Sequence, residues 1–110
     1  MTDRELLLLA AKAAGFTDAE WAAEQASVCT VQAGKGFQPF WNPLRDDGDA
    51  LRLAVELRLD ICRPHADYHS VCVWLDQRGD FVEQEVGDDP YAATRRAIAR
   101  AAAEIGKGMK

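Results

Sequence analysis

Apolar residues recur along this chain in two rhythms, and each predicts a different kind of element. Near the start, Leu6, Leu7, Leu8 and Leu9 run into Ala10 and Ala11 behind Thr2-x-x-Glu5. A hydroxyl followed three residues later by a carboxylate is a capping box, in which each side chain satisfies an orphan backbone N–H. It predicts a helix to residue 14, with Gly15 at its left-handed end. A second pair, Thr17-x-x-Glu20, predicts a short helix to about residue 25 anchored by Trp21. Residues 1–26 then form a helical hairpin with Phe16 at its turn. Near the other end, Asp89 is an N-cap and Pro90 sits at the first helical position. Tyr91, Thr94, Ile98, Ala101, Ala102 and Ile105 follow on one face, with Arg96 and Arg100 on the opposite, solvated one. Gly106 closes this helix and residues 107–110 form a frayed tail.

The middle of the chain shortens the rhythm. Residues 70–75 are rich in Val and Trp, residues 81–86 alternate, and Asp76-Gln77-Arg78-Gly79-Asp80 joins them as a hairpin loop. Residues 50–61 read two ways. Leu51, Leu53, Val55, Leu57, Leu59 and Ile61 alternate as in a half-buried strand. Yet the residues are mostly helix formers, and Asp46-Asp47-Gly48-Asp49 sets carboxylates where a helix begins. A helix over about 48–57 followed by a strand over 58–63 is preferred, with one long edge strand as the alternative. Residues 27–32 suit a short strand and residues 33–36 a flexible turn. In residues 37–44, Pro39 and Pro43 exclude a central strand, and Phe37, Phe40 and Trp41 imply a loop packed against the core. The expected fold is α+β: a three-stranded antiparallel sheet packed with helices in an α/β/α sandwich. A sheet that small must be covered, by helices on both faces or by a second copy in a homodimer.

Length and composition narrow the class. A chain of 110 residues is one domain's worth and buries a real core without staples. Apolar residues at 48% and charged residues at 28% exclude a disordered or fibrous chain. Thirteen basic and 18 acidic residues give a net charge of −5, which argues against direct nucleic-acid binding. No apolar stretch approaches the ~20 residues of a membrane span, and no export signal is expected. The odd set Cys29, Cys62 and Cys72 suits reduced thiols in the cytoplasm.

Candidate chemistry is sparse. Cys62-x-x-His65-x-x-x-His69-x-x-Cys72 supplies four zinc-type ligands, symmetric about Asp67, so a hairpin sets Cys62 opposite Cys72 and His65 opposite His69. One tight hairpin strains such a site, and core cysteines beside polar turn residues explain the set as well. Asp46, Asp47 and Asp49 serve helix capping better than a cation, since the ligand spread of an EF-hand loop is absent. Lys35 with Phe40, Trp41 and Asn42 could hold a nucleotide-like anion, with Arg95 adding a fork for phosphate. The plain alternative is that Trp41 and Phe40 cap the core. No nucleophile elbow, phosphate loop, dinucleotide fingerprint or metalloprotease motif is present, so no enzyme and no cofactor is expected.

Two phrases carry a family resemblance. Trp41-Asn42-Pro43-Leu44 with Asp46-Asp47-Gly48-Asp49-Ala50-Leu51-Arg52-Leu53-Ala54-Val55 is one; the run from Asp89-Pro90-Tyr91 through Ala101-Ala102-Ala103-Glu104-Ile105-Gly106 is the other. Together they resemble the phage ABA sandwich domain over residues 40–106. That resemblance implies an α/β/α arrangement and a phage-encoded protein working in the cytoplasm of its bacterial host. It implies no catalytic residue, and the Cys62/His65/His69/Cys72 set is outside it. The function expected is a binding protein that acts against host defence by sequestering a small anionic ligand. The alternatives are an inhibitor of a host defence protein, held through an acidic surface, and a zinc-binding protein.

Overall fold

The computed structural model describes residues 1–23, 27–32, 36–62, 69–75 and 79–109, with backbone alone at 17–18, 29–32 and 36–39. These residues form an α+β fold of three helices and two three-stranded antiparallel sheets. In chain order the elements are α1 (Asp3–Ala13), β1 (Thr17–Ala22), β2 (Ser27–Gln32), β3 (Gly36–Trp41), α2 (Asp47–Glu56), β4 (Asp60–Cys62), β5 (Ser70–Trp74), β6 (Phe81–Glu85) and α3 (Pro90–Lys107). None of the described helices is long and apolar enough to cross a membrane.

The first helix begins as its sequence dictates, with the Glu5 amide donating to Thr2 Oγ1 at 3.2 Å. It ends in a Schellman closure: Gly15 takes φ +83°, its amide donates to the Lys12 carbonyl, and the Phe16 amide donates to that of Ala11. The expected helical hairpin stops there. Thr17-x-x-Glu20 opens no helix, because residues 17–22 are a strand paired antiparallel with β2. The stretch after Gly15 is too short to hold an isolated helix, and pairing with the β-branched Ser27–Gln32 strand satisfies its backbone instead. Ala19 and Trp21 pack on the core from β1.

Residues 36–41 are likewise a strand rather than a loop. They lie at the sheet edge, in the order β1-β2-β3, which is where a strand tolerates Pro39. The pairing slips between Val28↔Trp41 and Thr30↔Gln38, so β3 carries one residue more than β2 over this interval. Phe40 takes up the bulge with φ +59°. It stays exposed while Trp41, the next residue, turns into the core.

Residues 60–62, 70–74 and 81–85 form the expected meander, in the order β4-β5-β6. Gly79, before the third strand, takes φ +96°. Residues 65–68 of the expected turn at 65–69, residues 33–35 of the turn at 33–36 and residues 76–78 of the hairpin loop lie outside the described residues. Val71, Val73 and Val82 point from this sheet into the core beneath α3. The last helix starts on Asp89, whose carboxylate accepts from the Tyr91 and Ala92 amides at 3.0 and 3.2 Å. It runs past Gly106 to a cap at Gly108. Arg96 and Arg100 keep part of their surface in solvent, and each is also engaged across the fold. Arg96 reaches Asp3 at the head of α1 at 3.0 Å, and Arg100 donates to the Glu83 carbonyl at 2.8 Å and to the Gln84 side chain at 3.0 Å.

Helix α3 therefore has neighbours on several sides: α1, α2, β5 and β6. Its buried positions are almost all small, namely Ala93, Ala97, Ala99, Ala101, Ala102, Ala103 and Gly106, with Ile98 the large exception. One apolar cluster runs from Leu7 and Ala10 on α1 through Val28 and Trp41 to Val71, Val73 and Val82. At Gly106 α3 comes close to α1: an added Cβ would stand 2.1 Å from the Leu9 carbonyl oxygen. Backbone does not yield as a side chain does, so Gly106→Ala is expected to lose about 1–3 kcal/mol, the usual range for overpacking. Gly108→Ala should stay within about 0.5 kcal/mol, since its Cβ would meet nothing closer than 3.6 Å. Urea unfolding of the two variants checks this, with the midpoint falling for the first alone.

Candidate functional site

Helix α2 is apolar on two sides. Successive helical residues turn by about 100°, so alternating apolar positions fall into two stripes. Ala50, Leu53 and Ala54 face the core, while Leu51 and Val55, one turn apart, face outward. Leu51 is 61% exposed. Across from it stand Ile61 of β4, 39% exposed, and Tyr91 of α3, 70% exposed. These side chains rim a hollow of about 480 Å³ between α2, β4 and the first turns of α3, with the buried Ala50 and Ile98 on its floor. A shallower hollow continues along the other side of Leu51 and Ile61, past Val55 and Arg58. The two hollows share Leu51 and Ile61 as walls, and the first of them forms an apolar groove with a polar border.

Arg95 is the cation that lines the main hollow, and it is engaged; Arg58 stands exposed along the shallower one. Its Nε donates to the Leu44 carbonyl at 2.9 Å and its Nη1 to Asp47 Oδ1 at 2.7 Å. Its side chain is mostly buried while Asp47 is exposed. The arginine fastens α3 to the turn before α2 and brings a neutralised pair, not a free positive fork, to the groove.

The aromatic loop proposal for Trp41 does not hold. Trp41 is 3% exposed, set edge-on against Phe16 with ring centroids 5.0 Å apart, and belongs to the core cluster. It lies outside the groove lining and has no free face for a base to stack on. Asn42 is buried too, holding the turn that follows: its Oδ1 accepts from the Leu44 amide at 2.9 Å and its carbonyl from the Arg45 and Asp46 amides. Phe40 is exposed on the bulge of β3, and Lys35 lies outside the described residues. Among the described residues of the expected anion set, the groove holds Arg95 alone.

The aspartate cluster is structural. Asp46 caps α2, accepting from the Asp49 amide at 2.7 Å. Asp49 is buried; its Oδ2 accepts from the Asn42 amide at 3.0 Å and its Oδ1 from Arg52 at 2.8 Å. The turn from β3 into α2 is thereby locked from both ends, which positions the groove wall.

Cys62 and Cys72 do face each other across the β4–β5 ladder, as the hairpin symmetry requires. His69 is exposed, and His65 lies outside the described residues. Among the described residues no group of three or more His, Cys, Asp or Glu side chains is arranged to hold a metal ion. Burial, the neighbouring Glu83 and the Cys62 sulfur together push the Cys72 thiol above its ordinary range.

Sequence reasoning missed Leu51, Ile61 and Tyr91 as site residues. The signal for the first was present in the strand-like alternation of residues 51–61, which a helix converts into two apolar stripes. No protein-family model, curated protein or solved structure matches the chain.

The two neighbouring carboxylates should behave differently. Asp49→Ala leaves the buried Asn42 amide without that acceptor and is expected to cost about 1–3 kcal/mol. Asp47→Ala removes an exposed partner of Arg95 and should cost less than about 1 kcal/mol. Thermal unfolding of both variants tests the ranking.

Proposed function

We propose that this protein is a non-enzymatic binding protein that docks an apolar segment of another protein, flanked by Lys or Arg, into the groove between α2, β4 and α3. The observation that carries the reading is the exposure of Leu51, Ile61 and Tyr91 around one hollow. Contiguous exposed apolar surface with a polar rim is characteristic of interaction sites, and aromatic and aliphatic anchors in pockets dominate interface energetics. Charge selects the flanks of the partner. Asp88 and Asp89, which precede Pro90 of the lining, are exposed, Asp47 and Arg95 offset one another, and the chain as a whole carries −5. Such a field favours a basic partner and speeds its arrival.

Sequestration of a small anion, the other expectation from the sequence, is supported here by Arg95 and the nearby Tyr91 ring alone. The resemblance to phage ABA sandwich proteins belongs to the same proposal. Its support is that the residues carrying it form the α2 wall and the α3 wall of the groove. On that reading the partner is a host defence protein met in the cytoplasm of an infected bacterium; the layers α1, α3 and β4–β6 themselves follow one another in the order α/α/β.

Amide chemical-shift mapping with three probes tests the docking reading. A capped Lys-Trp-Lys peptide should move the Leu51, Ile61 and Tyr91 signals, and Leu51→Asp should abolish the shifts while leaving the fold intact, since Leu51 is largely exposed. A capped Glu-Trp-Glu peptide should bind at least about tenfold more weakly, a difference of about 1.4 kcal/mol. Shifts at these residues with a mononucleotide, and none with the basic peptide, would replace protein docking by anion binding.

A further inference from the structure

The groove uses one face of the β4–β5–β6 sheet, and the opposite face carries a second chemistry. Side chains alternate along a strand. Ile61 and Val73, opposite one another, belong to the groove and core side, so the adjacent pair Cys62↔Cys72 belongs to the outer side. Both cysteines carry free thiols; Cys62 is exposed and Cys72 half-buried. Directly opposed residues in an antiparallel pair have Cα atoms about 4.5–5.5 Å apart, inside the roughly 4.4–6.8 Å that a disulfide spans. Their Cβ atoms sit about 4.5–5.5 Å apart in such pairs, whereas a disulfide draws them to about 3.5–4.5 Å. Closure therefore needs the strands to draw together slightly, and a bond closed under that demand is readily reduced.

We propose that Cys62 and Cys72 are a redox-active dithiol that closes to a reversible intramolecular disulfide and pins the edge strand β4 to β5. The oxidant is a low-molecular-weight disulfide such as oxidised glutathione. The exposed Cys62 thiolate attacks one of its sulfurs, the glutathione S–S bond breaks, and one glutathione thiolate leaves and takes up a proton. Cys72 then gives up its proton and attacks the Cys62 sulfur, expelling the second glutathione as a thiol. Two protein thiols are oxidised by two electrons, and one glutathione disulfide is reduced to two thiols. The strand that is pinned has three residues, and its middle one, Ile61, is a wall of the groove. Oxidation on the outer face thus stiffens the binding face. This last consequence, though not the disulfide itself, rests on the docking reading above.

The experiment treats the whole chain, carrying Cys29→Ser to remove the third thiol, with oxidised glutathione and maps its peptides by mass. The expected product is a Cys62–Cys72 linked peptide, lighter by two hydrogens and restored by dithiothreitol. Cys72→Ser should instead hold a stable glutathione adduct on Cys62. Amide hydrogen exchange at Ile61 should slow at least about threefold in the oxidised protein, reporting the pinned strand without reference to any ligand. Persistent glutathione adducts on Cys62 in protein that retains Cys72, or links only between separate chains, overturn the proposal. If the linked peptide forms and the Ile61 amide is unchanged, the pinning is overturned. Loss of Lys-Trp-Lys binding in the reduced protein bears on the docking reading alone.

Discussion

The close approach of Gly106 on α3 to the Leu9 carbonyl of α1 sets the spacing on which the other elements depend. A helix that has α1, α2 and two strands as neighbours must be thin, and α3 meets this with alanine at most of its buried positions. Thin helices bury little area per residue, so large side chains must come from their neighbours. Leu7, Leu53, Val71, Val73 and Trp41 supply that bulk from α1, α2, β5 and β3. The polar ties of α3 follow the same plan. Arg95 reaches the turn before α2, Arg96 the head of α1, and Arg100 the backbone of β6. Exposed ion pairs of this kind add little stability each, but each fixes a register. The half-buried Arg95 fork, with a carbonyl and a carboxylate as acceptors, is the firmest of them.

The groove is a by-product of this frame. Helix α2 lays Leu53 and Ala54 on the core and leaves Leu51 and Val55 turned away from it. Strand β4 is the edge of its sheet, and Ile61 stays exposed there. The first turn of α3 projects Tyr91 beyond the core. No single element makes the site, and the Asn42–Asp49 turn leads directly into Ala50 on its floor, so a mutation in that turn can move one wall of it.

Much of the architecture was legible in local chemistry. Thr2, Asp89 and the Asp46–Asp49 cluster mark the three helix starts, because a side-chain oxygen there takes a backbone N–H that nothing else in the helix can take, although within the cluster it is Asp46 that caps. The β4–β6 meander was legible from β-branched residues and Gly79. What failed was long-range. The Thr17/Glu20 pair looks like a cap only until β2 is available for pairing, a partner that sequence position does not reveal. The same sheet turns residues 36–41 from a packed loop into an edge strand, and its bulge at Phe40 decides that Trp41 is core and not a ligand platform. Arg96 and Arg100 looked solvated because the residues they meet lie far away along the chain. For the site, the alternation over residues 51–61 was noticed but treated as a choice between strand and helix. In a helix it also means an apolar stripe without a place in the core.

Native-state hydrogen exchange tests most directly whether α3 is the frame. If it is, the amides of residues 97–103 exchange only through global unfolding, and those of Leu7, Ala10 and Ala11 on α1 share the same opening free energy, because the two helices cannot separate without opening the core. The β1–β3 sheet, linked to this frame through α1 and Trp41, should open at lower free energy. Exchange of the α3 amides through local opening, while β5 or α1 stays protected, would contradict the account.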